Sequence, residues 1–429
     1  MISRHSRSRL GKVYEGCLDH TALRIQPALR YALRLLLTTL ASLTLLGAPP
    51  AVAEAPWDAW RTKAVEAGVT PKLTYVTDLL GNPTGGQSQR LRYAGDLSVG
   101  LSFDLQTLAK LPGLKFHLSG TWRSGKDLSQ DIGNTFPPAQ IFGGDTVRLY
   151  QMAFEQSLLD ERVSILAGRI GLGDEFLTAP LYGAFVSAAF AGNPFSGPAN
   201  LPGFSVHPVA TWGGRLRVQP TENVYIMTGL YSSNPGIGRN SAHGVDFSLG
   251  RGAITITELG YLHNKKPGAT GLPGNYKIGG YYDSSRFTDL SDAFGAEIRG
   301  NAGFYVHLDQ MVYRETGSEA LQGLTPFVAL TVVPSERRNV FPFFLIGGLT
   351  YQGLFPGRDT DTTAFGVAYG KFSDHLDPQN YELLLEWTHA FAVTPFLTVQ
   401  PDVQYIMRPG GTNALPNALV VGAQIALTF

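Results

Sequence analysis

Residues 381–411 read YELLLEWTHAFAVTPFLTVQPDVQYIMRPGG, and residues 417–429 end the chain with NALVVGAQIALTF. From Tyr381 to Val393 the odd positions are Tyr381, Leu383, Leu385, Trp387, His389, Phe391 and Val393, while Glu382, Glu386 and Thr388 take the even ones. From Phe396 to Met407, Leu397, Val399, Pro401, Val403, Tyr405 and Met407 oppose Thr398, Gln400, Asp402 and Gln404. The last run repeats the pattern with Leu419, Val421, Ala423, Ile425, Leu427 and Phe429 on one face. A period of two is the signature of a strand with two unlike faces. These runs hold their phase over 11 to 13 residues. Strands of soluble sheets average about 5–6 residues, whereas a tilted membrane-crossing strand needs about 9–11.

The pattern recurs upstream. Leu97, Val99, Leu101, Phe103 and Leu105 alternate with Asp96, Ser98, Gly100, Ser102 and Asp104. Leu114, Phe116, Leu118 and Trp122 alternate with Lys115, His117, Ser119, Thr121 and Arg123. Leu216 and Val218 alternate with Arg215 and Arg217. Further strands are expected at 71–80, 147–158, 163–170, 223–232, 244–263 (one long strand or a hairpin), 275–284, 303–315, 324–333, 342–352 and 362–373. The count is 16 or 17, and the even-number rule for single-chain outer-membrane barrels favours 16. The fold expected is therefore all-β, a transmembrane antiparallel β-barrel with its apolar face to lipid and its polar face to a water-filled lumen.

Composition agrees. Charged residues are only 16%, aromatics 11%, and 50 of 429 residues are Gly. This is turn-rich, charge-poor and too apolar for disorder. Residues 1–53 carry seven Lys/Arg and two acids; the remainder carries 27 bases and 32 acids. An acidic bulk repels phosphate, so nucleic acid is excluded as a partner. The basic stretch ends at Arg34, the 14-residue apolar segment from Leu35 to Ala48 follows, and Ala51-Val52-Ala53 supplies small residues before Glu54. Residues 1–53 thus read as a cleaved export signal, too short in its apolar part for a membrane helix. Cys17, the sole cysteine, falls within it. Residues 54–70 read as a short periplasmic helical segment, and 71–429 as the barrel.

The stretches 176–214 and 339–357 lack Asp, Glu, Lys and Arg, but their prolines and glycines rule out lipid-exposed helices. The connection 171–208 holds six Gly, five Pro and six aromatics. So apolar a segment is expected to fold into the barrel and narrow it as a constriction loop, with 125–146 sharing that role.

Motifs for catalysis are missing. There is no G-x-S-x-G and no H-E-x-x-H, and the nine histidines lack metal-ligand spacing. No catalytic residue, metal or cofactor is assigned. Strand phase instead turns Lys115, His117, Arg123, Arg215, Arg217, Glu382, Glu386, Gln400, Asp402 and Gln404 inward as pore-lining groups. Arg123 and Arg215 are expected to balance Asp104, Glu382 and Glu386 across the lumen. Water is expected to solvate this inner face, so that changes there leave the barrel's stability intact.

From about residue 57 onward the chain resembles the OprB-type carbohydrate-selective porins of Gram-negative outer membranes. The resemblance rests on the C-terminal hairpins quoted above, with Gln400-Pro401-Asp402-Val403-Gln404-Tyr405 and Pro409-Gly410-Gly411. Tyr75, Asp78, Asn82 and Gly85-Gly86 near the start, Gly213-Gly214-Arg215, and Gly168-Arg169 with Asp174-Glu175-Phe176 add to it. It implies passive diffusion of glucose and related neutral sugars across the outer membrane, and it adds Arg169 and Glu175 to the expected path. Phe176, Tyr182 and Phe185 are the candidate faces for sugar stacking. Outer-membrane lipid and the barrel-assembly machinery are the expected partners. Two alternatives stay open: a general or organic-acid porin, and a barrel enzyme or adhesin.

Overall fold

The computed structural model describes residues 57–142, 144–265, 269–316 and 322–429; the expected export signal, 1–53, lies outside them. Sixteen strands form the wall: β1 Val69–Thr84, β2 Leu91–Asp104, β3 Leu114–Gly125, β4 Thr146–Leu158, β5 Val163–Ile170, β6 Thr211–Val218, β7 Val224–Ser233 and β8 Gly252–His263. There follow β9 Gly274–Thr288, β10 Glu297–Gln310, β11 Gly323–Val332, β12 Phe343–Gln352, β13 Thr362–Lys371, β14 Tyr381–Thr394, β15 Leu397–Met407 and β16 Ala418–Thr428. A two-residue bridge, Tyr313–Arg314, extends the β10 side of β11. Each strand pairs antiparallel with its sequence neighbour, and β1 closes on β16 with Tyr75 opposite Leu427 and Asp78 opposite Gln424. Closure leaves no sheet edge to lipid, the condition for spanning a membrane with strands. No helix among the described residues is long and apolar enough to cross.

The phase follows the sequence. Leu216 is 39% exposed while Arg215 beside it is 7% exposed and bonded to inner partners. Helix α1, Asp58–Glu66, precedes β1 at the end of the barrel that carries the short turns.

Three features depart from the plain alternating wall. The run 244–263 is neither one strand nor a hairpin: β8 begins at Gly252. Because β5 pairs with β4 only from Met152 onward, the upper part of β4 lacks that neighbour, and the segment 243–249 lies along it. The Leu149 N–H donates to the His243 carbonyl, and Trp212 Nε1–H to the Phe247 carbonyl. Val245, Phe247 and Leu249 then face outward, continuing the apolar surface. Secondly, the β3–β4 register slips so that Ser119 faces both Tyr150 and Gln151, a bulge that aims both toward the interior.

The third departure concerns the interior, where the loops build apolar clusters against the wall. Loop residues Phe136, Phe185, Val186 and Phe190 pack on Ile346, Ala364, Ala368, Leu384 and Ile406 of the inner wall. A second cluster joins Phe176, Leu177 and Phe204 to Tyr225, Ile256, Tyr281 and Tyr305. Small inward residues make room for the rings. A Cβ on Gly366 would stand 2.7 Å from Phe185, and one on Gly370 2.8 Å from Phe136. Loops this apolar need a partner that removes them from water, and the inner faces of β11–β15 provide one.

Candidate functional site

Among the spaces the loops leave open is a chamber of about 460 Å³ against β1–β4; another, of about 740 Å³, lies between Pro180–Ala184 and the wall residues Asp309, Thr325, Thr350 and Thr362. The wall of the first is a field of short hydroxyl side chains, among them Thr74, Ser98, Ser102, Ser119 and Thr121. At its centre Arg123 Nε–H bonds Asp96 Oδ2, the two facing each other directly across β2 and β3. Asp96 Oδ1 accepts from Ser98 Oγ (2.7 Å) and Thr121 Oγ1 (2.9 Å). His207, from the long loop, brings Nε2 to 3.6 Å from Asp96 Oδ2. The imidazole lies flat on the Tyr150 ring, with centroids 4.7 Å apart and planes 20° apart. The Tyr150 hydroxyl donates to Asp174 on the short loop helix Leu172–Glu175.

The loop groups titrate far from their ordinary values. Burial pushes the Asp174 carboxyl up to about 6, partly opposed by the Tyr150 hydroxyl. Burial and the Arg123 charge together push the His207 imidazole down to about 4, leaving it neutral at pH 7. The chamber therefore offers paired opposite charges, hydroxyls and one flat ring pair. It suits a polar, uncharged solute better than a free ion.

The expected path residues divide into three groups. Arg123 lines the chamber. Next to it runs a relay along the wall: Ser102 to His117 Nδ1 at 2.9 Å, His117 Nε2 to Glu155 at 3.2 Å, and Arg215 to Glu155 at 3.5 Å and to Glu175 at 2.7 Å. Lys115 is exposed at the short-turn end, and Arg217 covers the Tyr225 ring at 4.5 Å. Arg169 is buried and bonds the Asp246 carbonyl beneath the 243–249 segment, away from the chamber.

The third group corrects the expectation of a solvated inner face. Glu382 and Glu386 are inward but fully covered. Glu382 accepts from the N–H groups of Thr135, Phe136 and Gly410. Glu386 accepts from those of Val186 (2.6 Å) and Ser187 (3.3 Å). Gln400 donates to the Ala184 carbonyl and Gln404 to that of Pro138, while Asp402 is buried beside Gln404. These groups hold the loops down, and water does not reach them. The expected charge balance is likewise redistributed: Arg123 pairs with Asp96, Arg215 with Glu155 and Glu175, and Asp104 caps the short helix Leu105–Ala109.

The stacking candidates are also corrected. Phe176, Tyr182 and Phe185 are at most 2% exposed. Phe185 stacks on Phe190, and the Tyr182 hydroxyl bonds His307 Nδ1 at 2.7 Å. No face of theirs is open to a solute. Sequence reading missed Asp96, Tyr150, Asp174 and His207. Pairing the strands by register would have found Asp96 opposite Arg123, but the bulge at Tyr150 and the fold of the loop leave no periodic trace.

Residues 88–429 match the family described as carbohydrate-selective porin, OprB family. Porin B of Pseudomonas aeruginosa is 29% identical over 87% of this chain and 90% of its own length. A putative porin, QuiX, of Acinetobacter baylyi is 23% identical over 87% of this chain and 92% of its own. The high-pH structure of Pseudomonas putida OprB superposes with a TM-score of 0.80 at 28% identity, covering 87% of this chain and 97% of the other. This outer-membrane barrel, a channel with a constriction built of its own loops, belongs to the OprB family of carbohydrate-selective porins.

Proposed function

We propose that neutral, glucose-like sugars cross this porin through the chamber on β1–β4, meeting the Asp96–Arg123 pair, the surrounding hydroxyls and the Tyr150–His207 stack. The observation that carries this reading is the pairing itself. A pair of charges already neutralised by each other presents hydrogen-bond donors and acceptors to a sugar hydroxyl, and Lys72 and Asp174 add one charge of each sign to the same lining. Binding is weak, about −4 kcal/mol for a millimolar site, so that cargo leaves as readily as it enters. His117, Glu175 and Arg215 act one layer back, fixing the wall and the loop helix. Outer-membrane lipid surrounds the outer face, the barrel-assembly machinery inserts the chain, and the export signal is removed near Glu54. N-terminal sequencing of membrane material tests the last point.

The deciding experiment is swelling of liposomes carrying the purified protein across a series of solutes. Glucose is expected to enter faster than an organic acid of the same size, and Arg123→Ala to erase that preference. Entry rates ordered by size alone, in wild type and variant alike, would refute a selective chamber.

A further inference from the structure

Helix α1 does not hang free below the barrel. Trp57 packs edge-on against Phe429 (centroids 4.8 Å) and Phe396 (5.4 Å), which fastens the helix to the lipid-facing rim. Between the helix and the wall runs a cavity of about 470 Å³, lined by Trp57, Trp60 and Arg61 on one side and Leu73, Val99 and Phe429 on the other. Leu73 and Val99 are register partners on the outward face of β1 and β2, and Val99 is half exposed. The cavity is thus continuous with the surface that meets acyl chains. Trp60 is 63% exposed although it stands over this apolar floor. Arg61, the next residue, has no carboxylate partner among the described residues.

We propose that this groove binds a glycerophospholipid of the periplasm-facing leaflet, one acyl chain lying between Trp60 and Val99 and the phosphate on Arg61. The short-turn end of an outer-membrane barrel faces the periplasm, which fixes the leaflet. An apolar slot takes a chain, an indole belongs at the headgroup level, and a guanidinium matches phosphate in charge and fork geometry. A water-borne partner would have to enter the plane of the membrane to reach the same slot.

The test is native mass spectrometry of the intact barrel in mild detergent, supplied with dioleoyl phosphatidylglycerol or phosphatidylethanolamine. One phospholipid retained per barrel is expected. Arg61→Gln should lower occupancy about tenfold, as loss of a charge-assisted contact would. Val99→Trp should fill the slot and exclude the chain while keeping the surface apolar, and Lys63→Gln should bind as wild type does. Unheated gel mobility confirms that each barrel is folded, and sugar flux unchanged in Arg61→Gln separates this site from the channel. Retention of detergent alone, or equal occupancy in wild type, Arg61→Gln and Val99→Trp, would overturn the proposal.

Discussion

Asp174 is the chamber group whose charge changes near neutrality. Its carboxyl is raised to about 6, so it is ionised at pH 7 and protonated at pH 5. His207, lowered to about 4, stays neutral across that interval. Asp96 remains beside Arg123 throughout. Acidification from pH 7 to 5 should therefore remove one negative charge from the chamber and raise the anion-to-cation permeability ratio. Reversal potentials in a salt gradient measure this, and in Asp174→Asn they should shift less over the same range. The residue scale was the least legible from the sequence. Tyr150 and His207 lie 57 positions apart in the chain, and neither a bulge nor a loop tip has a period to read. Side chains picked for their chemistry, such as Phe176 and Tyr182, turned out to be loop core, because an aromatic ring has more to gain from burial than from a wet channel.

At the scale of the element the alternation carried nearly everything. It placed the strands, their phase, and the inward and outward members of β14 side by side. Leu385→Arg puts a charge on the lipid face and should impair insertion, at a cost of about 2–4 kcal/mol at mid-membrane; the folded fraction in lipid vesicles reports it. Glu386→Ala tests the opposite face, with an outcome the sequence alone does not suggest. The carboxylate holds the Val186 and Ser187 N–H groups, and leaving such buried donors unpaired costs about 1–3 kcal/mol each. The barrel should still assemble, but with loop 171–208 loosened. Single-channel recordings should show a larger, noisier conductance and weaker discrimination among sugars. Alternation identifies an inward carboxylate but cannot say what covers it, since the cover comes from a loop some 200 positions away. That the loop folds inward was legible, because so many apolar residues without charge have no stable place in water.

For the molecule as a whole, closure of β16 on β1 and two apolar clusters inside the wall should give a barrel that resists unfolding in detergent. Unheated samples are expected to migrate faster than boiled ones on denaturing gels. Gly366→Trp, which collides with Phe185 and Phe190, should lower the temperature at which that shift occurs. The anchors also set an order of events. Glu382, Glu386, Gln400 and Gln404 belong to β14 and β15, near the end of the chain, while the backbone they grip lies at 135–138 and 184–187. Both loops are synthesised long before these four anchoring side chains. The loops bond each other, Gln140 N–H to the Val186 carbonyl and Ala188 N–H to that of Pro137, but the contacts to Glu382, Glu386, Gln400 and Gln404 form only when the last hairpins arrive, and those same hairpins bring β16 to β1. The last anchors of the constriction and the strands that seal the wall thus belong to the same hairpins, the final part of the chain to be made.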